Sequence, residues 1–308
     1  MKRIFVDGQE GTTGLQIREK LLARKDIELM EIEPELRKDV KRKAELLNAA
    51  DVSFLCLPDD AAIESATLVQ NPDTVVIDTS TAHRTNESWA YGLPELSSAH
   101  KEQIKNSKRI ANPGCHSTGF LLAVYPLVAR GIIKPNVNLS CYSLTGYSGA
   151  GKKMIAEYQE NFKHIKFESE SVLASKPYAL GLSHKHLPEM QKIAGLSKPP
   201  LFNPIIGPFF QGMAVTVSLF PDILTGVSTF DELRDFLADY YACSEFVSVV
   251  PANENPAMLS PTICNGTNNA KIFVFGRHEH GQITVVLDNL GKGASGAALQ
   301  NMELAISQ

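Results

Sequence analysis

A thiol, two closely spaced imidazoles and a glycine-rich turn are the groups of this sequence best suited to do chemistry. The thiol lies in Ala111-Asn112-Pro113-Gly114-Cys115-His116-Ser117-Thr118-Gly119, followed by the apolar run Phe120-Leu121-Leu122-Ala123. An Asn-Pro-Gly turn ends a strand, and a helical pattern starts just after Cys115. A thiol at a helix N-terminus meets the positive end of the dipole and free N–H groups, which favour its thiolate. The same N–H groups suit an oxyanion on a carbon bonded to the sulfur. His116 adjoins Cys115, but neighbours on a helix start point apart. The imidazoles His184 and His186 lie in Leu182-Ser183-His184-Lys185-His186-Leu187-Pro188-Glu189. Separated by one residue, they face the same side if the segment is extended. Zinc needs three or four ligands and no third cluster is near, so no metal is expected. A base for a distant thiol is the better use, because catalytic Cys and His meet in space rather than in sequence. The sequence leaves open which of the two serves. Leu187-Pro188 fixes the backbone just beyond His186, which favours His186 for the thiol and His184 for the substrate. His278-Glu279-His280 sits at a tip between two strand patterns and is expected in solvent.

The N-terminal segment Gly8-Gln9-Glu10-Gly11-Thr12-Thr13-Gly14 follows a short strand and precedes the helical pattern of residues 15–22. Strand, glycine turn and helix start make a dinucleotide-binding beginning, spaced G-x-x-G-x-x-G, with Gly8, Gly11, Thr12, Thr13 and Gly14 against a pyrophosphate. At the cofactor's 2′ position, Glu31 and Glu33 compete with Arg37 and Lys38, an undecided choice between NAD and NADP. Arg84, just beyond the carboxyl end of a strand, is a candidate for holding an anionic substrate. The segment Thr145-Gly146-Tyr147-Ser148-Gly149-Ala150-Gly151-Lys152 offers backbone around Ser148 and Gly149 that could nest a phosphate. It lacks the G-x-x-x-x-G-K-[ST] pattern of a nucleoside triphosphatase.

These groups need a scaffold. Strand patterns at residues 2–7, 27–32, 52–57, 74–78 and 108–111 alternate with helical ones at 15–22, 41–50 and 59–69. Several strands are continuously apolar, as in a sheet covered on both faces. The expectation is an α/β fold: a Rossmann-type, doubly wound parallel sheet. Beyond residue 134 strand patterns dominate, at 138–144, 204–206, 213–219, 271–275 and 283–287. They predict a second, α+β domain with a mixed or antiparallel sheet. The small-residue helix pattern of 292–306 returns to the first domain. The expected division is 1–115 plus 291–308 for the nucleotide domain and 116–290 for a catalytic and oligomerisation domain.

Composition narrows the function classes. With 308 residues, 44% hydrophobic and 21% charged, the chain is an ordinary globular one, long enough for two domains. A net charge of −4 offers no basic excess for nucleic acid or anionic membrane. The apolar run after Met1-Lys2-Arg3 is only Ile4-Phe5-Val6, against about 7–15 residues in a secretory signal, so a cytoplasmic location is expected. The five cysteines (Cys56, Cys115, Cys141, Cys243, Cys264) show no C-x-x-C pair, which argues against a disulfide framework.

The combined segments resemble the N-acetyl-γ-glutamyl-phosphate reductase family, in its shorter branch, over nearly the whole chain. They are the glycine turn, Asn112-Pro113-Gly114-Cys115, Gly149-Ala150-Gly151-Lys152, His184-Lys185-His186-x-Pro188-Glu189, Gly207-Pro208-Phe209-x-x-Gly212-Met213 and Asp288-Asn289-Leu290-x-Lys292-Gly293. Wider relatives are aspartate-semialdehyde and glyceraldehyde-3-phosphate dehydrogenases. The resemblance implies an NADPH-dependent enzyme of arginine biosynthesis acting on a small acyl phosphate. It makes Cys115 the nucleophile and His186 or His184 its acid/base, puts Tyr178 on the substrate side and Asn289 near the nicotinamide. The chain departs from the longer branch at His116-Ser117, where that branch has Tyr-Pro, and lacks its serine- and arginine-rich 2′-phosphate loop. Rival readings are an α-aminoadipyl or aspartyl phosphate reductase, a non-catalytic nucleotide-binding regulator, and a cysteine hydrolase that would leave the first hundred residues unexplained. Continuous apolar strands such as Val215-Thr216-Val217-Ser218-Leu219, together with the resemblance, predict a homodimer or homotetramer.

Overall fold

The computed structural model describes residues 1–163 and 174–307. It divides into two compact units, residues 1–114 with 294–308 and residues 115–293. In chain order the first unit holds β1 (Lys2–Asp7), α1 (Thr12–Leu22), β2 (Ile27–Met30), α2 (Val40–Ala49), β3 (Val52–Leu55), α3 (Asp59–Thr67), β4 (Val75–Asp78), β5 (Ala90–Tyr91), α4 (Ser98–Asn106) and β6 (Arg109–Ala111). The second holds α5 (Cys115–Ala129), β7 (Ser140–Gly146), α6 (Lys152–Lys163), β8 (Lys176–Pro177), α7 (Leu187–Ala194), β9 (Leu201–Gly207), β10 (Met213–Leu219), α8 (Phe230–Tyr241), β11 (Val247–Val249), β12 (Ala270–Gly276) and β13 (Gly281–Leu287). A π-helical turn (Gly291–Ser295) precedes α9 (Gly296–Ile306), which belongs to the first unit.

The first unit is built on a six-stranded sheet in the order β2-β1-β3-β4-β6-β5. Every pairing is parallel. Alternate side chains of each strand go to opposite faces, and both faces are apolar because helices cover both. Ile4, Val6, Phe54 and Ile77 pack with Ile17 and Leu21 of α1, Ile104 of α4 and Ala298 and Met302 of α9. Phe5, Leu55 and Val76 pack on the other face with Leu46 and Leu47 of α2 and Ala62 of α3. This double burial explains the continuous apolar runs, as in a doubly wound fold.

The second unit has a seven-stranded mixed sheet, β11-β12-β13-β10-β7-β9-β8. β7–β9 and β11–β12 are parallel; β8–β9, β7–β10, β10–β13 and β12–β13 are antiparallel. Helix α5 is apolar all round, with eleven buried positions, including Phe120, Leu121, Leu122 and Leu127. It lies on β10 and β13. Burial on all sides suits a helix that holds its first residues in a fixed place.

Candidate active site

The glycine turn bridges β1 and α1 as a tight loop. Gly11 N–H donates to the Gly8 carbonyl at 3.0 Å. Gly14 stands so close to that turn that a Cβ there would lie 2.4 Å from the Gly8 carbonyl oxygen. Helix α1 is capped by Gly11 without a side-chain cap and has no acid in its first turn. The Thr12 and Thr13 end of α1 is thus an uncapped positive helix terminus of the kind that receives a pyrophosphate. Beyond β2, Glu31 pairs with Arg18. Glu33 pairs with Arg42 at 3.0 Å, whose hydrogen bonds hold its carboxyl below the usual range. Arg37 reaches Glu10 at 3.1 Å.

At the carboxyl end of β4, Asp78 is fully buried and accepts from Ser80 N–H at 2.8 Å and Ser80 O–H at 2.7 Å. His83 Nδ1 lies 2.7 Å from the same carboxylate, and its ring stacks on Trp89 at 3.9 Å. Arg84 is buried, with Nε donating to the Asn112 carbonyl at 2.9 Å and a terminal nitrogen to the Thr79 carbonyl at 3.0 Å. These bonds make Arg84 a brace for the segment leading to Gly114.

In the second unit, Cys115 is the first residue of α5 and is partly exposed. Its Cβ packs against Gly293, where an added Cβ would approach within 2.7 Å. Three other thiols are poorer nucleophiles. Burial pushes Cys56 up to about 12 and also raises Cys141 and Cys264. A partly exposed thiol at the positive end of a fifteen-residue helix is the reactive candidate.

Aromatic and imidazole rings gather within the same unit. His184 and His186 pack edge to face at 4.7 Å between centroids. The segment is not extended as its spacing suggests. Pro188 lies in the first turn of α7, His186 is the N-cap, and Leu187 N–H closes a turn onto the His184 carbonyl at 3.0 Å. The turn tilts the two rings instead of aligning them. His184 Nδ1 accepts from the His186 backbone N–H at 3.1 Å. His186 is buried and its Nε2 lies 4.0 Å from Oε1 of the buried Glu189.

His116, set aside from the sequence as a partner for the thiol, joins this cluster. Its ring lies 5.4 Å from His184, 5.5 Å from His186 and 5.2 Å from Phe202. Nδ1 meets Ser143 Oγ on β7 at 2.8 Å, and Nε2 meets the Tyr178 hydroxyl at 2.8 Å. Burial, and then repulsion from His184, pushes its pKa down to about 3. Tyr178 is raised by burial and by the negative charge of Cys115, so its phenol stays protonated. The structure therefore brings Cys115, His116, Tyr178, His184 and His186 into one unit. The sequence reading set His116 aside as a base and gave no role to Ser143 or Glu189. Only Glu189 carried a signal, three residues after His186 at a Pro-marked helix start.

Ser148 and Asn289 are joined as well. Asn289 Nδ2 donates to Ser148 Oγ at 2.9 Å, and its Oδ1 accepts from Gly212 N–H at 2.8 Å. The backbone N–H groups of Tyr147 and Ser148 donate to the Phe209 and Phe210 carbonyls, both at 2.9 Å. Any anion nest in this loop is confined to Gly149, which is exposed, and the residues beyond it. Among the described residues no group of three or more His, Cys, Asp or Glu is arranged to hold a metal ion. None of their helices is long and apolar enough to cross a membrane.

Residues 8–106 match the semialdehyde dehydrogenase NAD binding domain, and residues 115–289 the semialdehyde dehydrogenase dimerisation domain. N-acetyl-gamma-glutamyl-phosphate reductase of Chelativorans sp. is 45% identical over 99% of this chain and 98% of its own. That of Mesorhizobium japonicum is 44% identical, again over 99% and 98%. In fold, the chain resembles aspartate semialdehyde dehydrogenase II complexed with ASA from Vibrio cholerae, with TM-score 0.72 and 16% identity, over 99% of this chain and 98% of that one. The Francisella tularensis aspartate semialdehyde dehydrogenase gives TM-score 0.74 at 14% identity, over 99% of both chains. A nicotinamide-binding domain, a dimerisation domain with a thiol at its first helix, and close relatives along the full length agree: the chain belongs to the N-acetyl-gamma-glutamyl-phosphate reductase family.

Proposed function

We propose that the chain reduces N-acetyl-γ-glutamyl phosphate to N-acetyl-glutamate 5-semialdehyde with NADPH, in arginine biosynthesis. The observation that carries this reading is Cys115 opening the buried helix α5 in the unit that also holds His184, His186 and Tyr178. An acyl phosphate is the natural substrate for such a thiol. The Cys115 thiolate adds to the acyl carbon, the C–O bond to phosphate breaks, and inorganic phosphate leaves a thioester. Backbone N–H groups at the start of α5 stabilise the oxyanion. When bound, a reduced nicotinamide would supply the hydride, two electrons that take the Cys115 thioester carbon to a thiohemiacetal. His186 gives its proton to the developing oxygen and takes it back as the C–S bond breaks, releasing aldehyde and thiolate. General acid–base help of this kind is worth about 10²–10⁴ in rate. His184 and Tyr178 are assigned to the substrate, with Ser148 and Gly149 beside it. Arg84 serves by bracing the strand end before Gly114.

The residues fit the nicotinamide dinucleotide. The tight packing of Gly14 on the Gly8 turn and the start of α1, which has no side-chain cap, leave backbone N–H groups to meet a phosphate. Gly8, Gly11, Thr12, Thr13 and Gly14 are assigned to the pyrophosphate and Asn289 to the nicotinamide end. NADP is favoured because Glu31 and Glu33 are each engaged by arginine, which weakens them as acceptors for a ribose hydroxyl. The chain is expected to act in the cytoplasm as a homodimer or homotetramer.

The test is turnover in reverse. Aldehyde, inorganic phosphate and NADP should yield NADPH, followed at 340 nm, only when phosphate is present. NAD should replace NADP poorly, and an α-aminoadipyl homologue should react more slowly. Absence of phosphate-dependent NADPH formation, with NADP bound, would favour a nucleotide-binding regulator instead.

A further inference from the structure

His116 stands outside the chemistry described so far, although it adjoins the nucleophile. It is 3% exposed, at the second position of α5, and is held from two sides. Ser143, fully buried on β7, meets Nδ1 at 2.8 Å; the Tyr178 hydroxyl meets Nε2 at 2.8 Å. The groups around the ring are His184, His186, Phe202 and Tyr178. Burial keeps the imidazole neutral, since its pKa is pushed down to about 3. It cannot be the proton-exchanging base at neutral pH.

A neutral imidazole donates through one nitrogen and accepts through the other. The three groups can therefore form one directed chain. Ser143 O–H donates to Nδ1, and Nε2–H donates to the Tyr178 oxygen. The phenol proton then points away from His116. The Tyr178 hydroxyl meets the ring of His116, the residue next to Cys115 at the start of α5, and the phenol stays protonated because burial and then the Cys115 charge raise it. A protonated hydroxyl held at the start of α5 is suited to donate to the oxygen that gains charge when the thiol adds. With the opposite direction, Tyr178 would spend its proton on His116.

We propose that His116 is a positioning residue: held by Ser143, it turns the Tyr178 hydroxyl so that its proton meets the carbonyl oxygen of the acyl group on Cys115. This rests on the acyl-phosphate reading given above. The Ser143 Oγ and Tyr178 hydroxyl contacts then have a single purpose, which is to set one tautomer of His116.

The experiment compares Y178F, H116N, H116Q, S143A and the double variant Y178F/H116N. Loss of the hydroxyl donor in Y178F should lower kcat about 100-fold, in line with removal of one oxyanion donor. Loss of its orientation in H116N should lower kcat roughly tenfold, the scale of one hydrogen bond, with KM little changed. The Gln amide reaches where Nε2 stands and Asn does not, so H116Q should recover most of the loss. H116N should cost nothing further in the Y178F background. The near-neutral limb of the pH profile should be the same in H116N as in wild type. Losses that multiply in the double variant, a lost neutral limb, or H116Q no better than H116N would overturn the proposal. S143A keeps the imidazole and removes only its Nδ1 partner. It should show the same kcat-selective loss even if H116N fails to fold, and an unchanged kcat there also overturns the proposal. The second readout is independent of turnover. The ¹³Cζ resonance of Tyr178, identified through Y178F, should move in S143A and H116N. An unmoved resonance counts against His116 whatever the activity, whereas a wild type with a responsive resonance and no turnover counts against the acyl-phosphate reading.

Discussion

Nε2 of His186 lies 4.0 Å from Oε1 of Glu189, two buried residues three positions apart at the start of α7. The relationship answers a local conflict. An imidazolium at a helix N-terminus faces the positive end of the dipole, which disfavours it. A carboxylate placed in the first turn opposes that field.

Glu189→Gln removes this charge and keeps the shape. The imidazolium of His186 becomes less favourable, and with it the thiolate it would stabilise. Alkylation of Cys115 by iodoacetamide should move to higher pH, and turnover should fall about ten- to a hundredfold, within the range of acid–base assistance. An alkylation profile that overlays wild type would show that Glu189 does not act on the thiol through His186.

Gly14→Ala should strike the cofactor and spare the thiol. The new Cβ would stand 2.4 Å from the Gly8 carbonyl oxygen, a backbone atom that cannot swing aside. The turn must open, and at least one charge-assisted bond to the pyrophosphate is lost, worth about 1.5–3 kcal/mol. NADPH affinity, read by fluorescence titration, should fall ten- to a hundredfold while the iodoacetamide rate at Cys115 is unchanged. Wild-type affinity in the variant would remove the glycine turn from the pyrophosphate site.

The site was partly legible in the sequence. The thiol at a helix start could be read because Asn112-Pro113-Gly114 is a turn and an apolar run follows, both local signals. The glycine turn was equally local, lying between β1 and α1. His116 was not legible in the same way. Its partners Ser143 and Tyr178 lie 27 and 62 residues away, so only tertiary packing brings them together. The arrangement of the paired histidines was not legible from their spacing, because it depends on whether the segment is extended, and the turn before α7 bends it. Helix α8 carried a capping signature that periodicity alone passes over. Thr229 accepts from the Glu232 N–H at 3.1 Å, and Glu232 reaches back to Ser228 N–H at 2.6 Å.

His116 also predicts an acid sensitivity. Its folded pKa, about 3, lies below the usual imidazole value of 6.5. Between these limits the unfolded chain binds the extra proton, so stability rises with pH there and is lost as pH falls from 6.5 toward 3. At 1.4 kcal/mol per unit the full loss approaches about 5 kcal/mol. Urea midpoints at pH 7 and pH 4.5 should therefore lie closer together in His116→Gln than in wild type. Equal spacing in both proteins would mean that His116 is not buried neutral.

Assembly should depend on the outer face of β7 and β9. Tyr142 on β7 is 40% exposed and Leu201 on β9 is 51% exposed. Tyr142 shares its face with its cross-strand partner Thr216, whose hydroxyl meets that of Thr284 at 2.9 Å. Such apolar exposure on a continuous sheet suits a second copy of the chain. Wild type should sediment as a multiple of 33.7 kDa, and Tyr142→Arg should shift it toward a single chain. Sedimentation of wild type as one chain at micromolar concentration would refute this assembly.

The covalent step at Cys115 is tested most directly by intact mass spectrometry of the enzyme mixed with N-acetyl-γ-glutamyl phosphate in the absence of nucleotide and quenched in acid. With no hydride available, the thioester should accumulate. The chain should gain the mass of one N-acetylglutamyl group, located on the peptide that contains Cys115 and absent in Cys115→Ser, which should still bind NADPH. Adding NADPH before the quench should discharge the adduct. A chain that turns over the acyl phosphate yet shows no adduct, or carries one on another residue, would contradict Cys115 as the nucleophile.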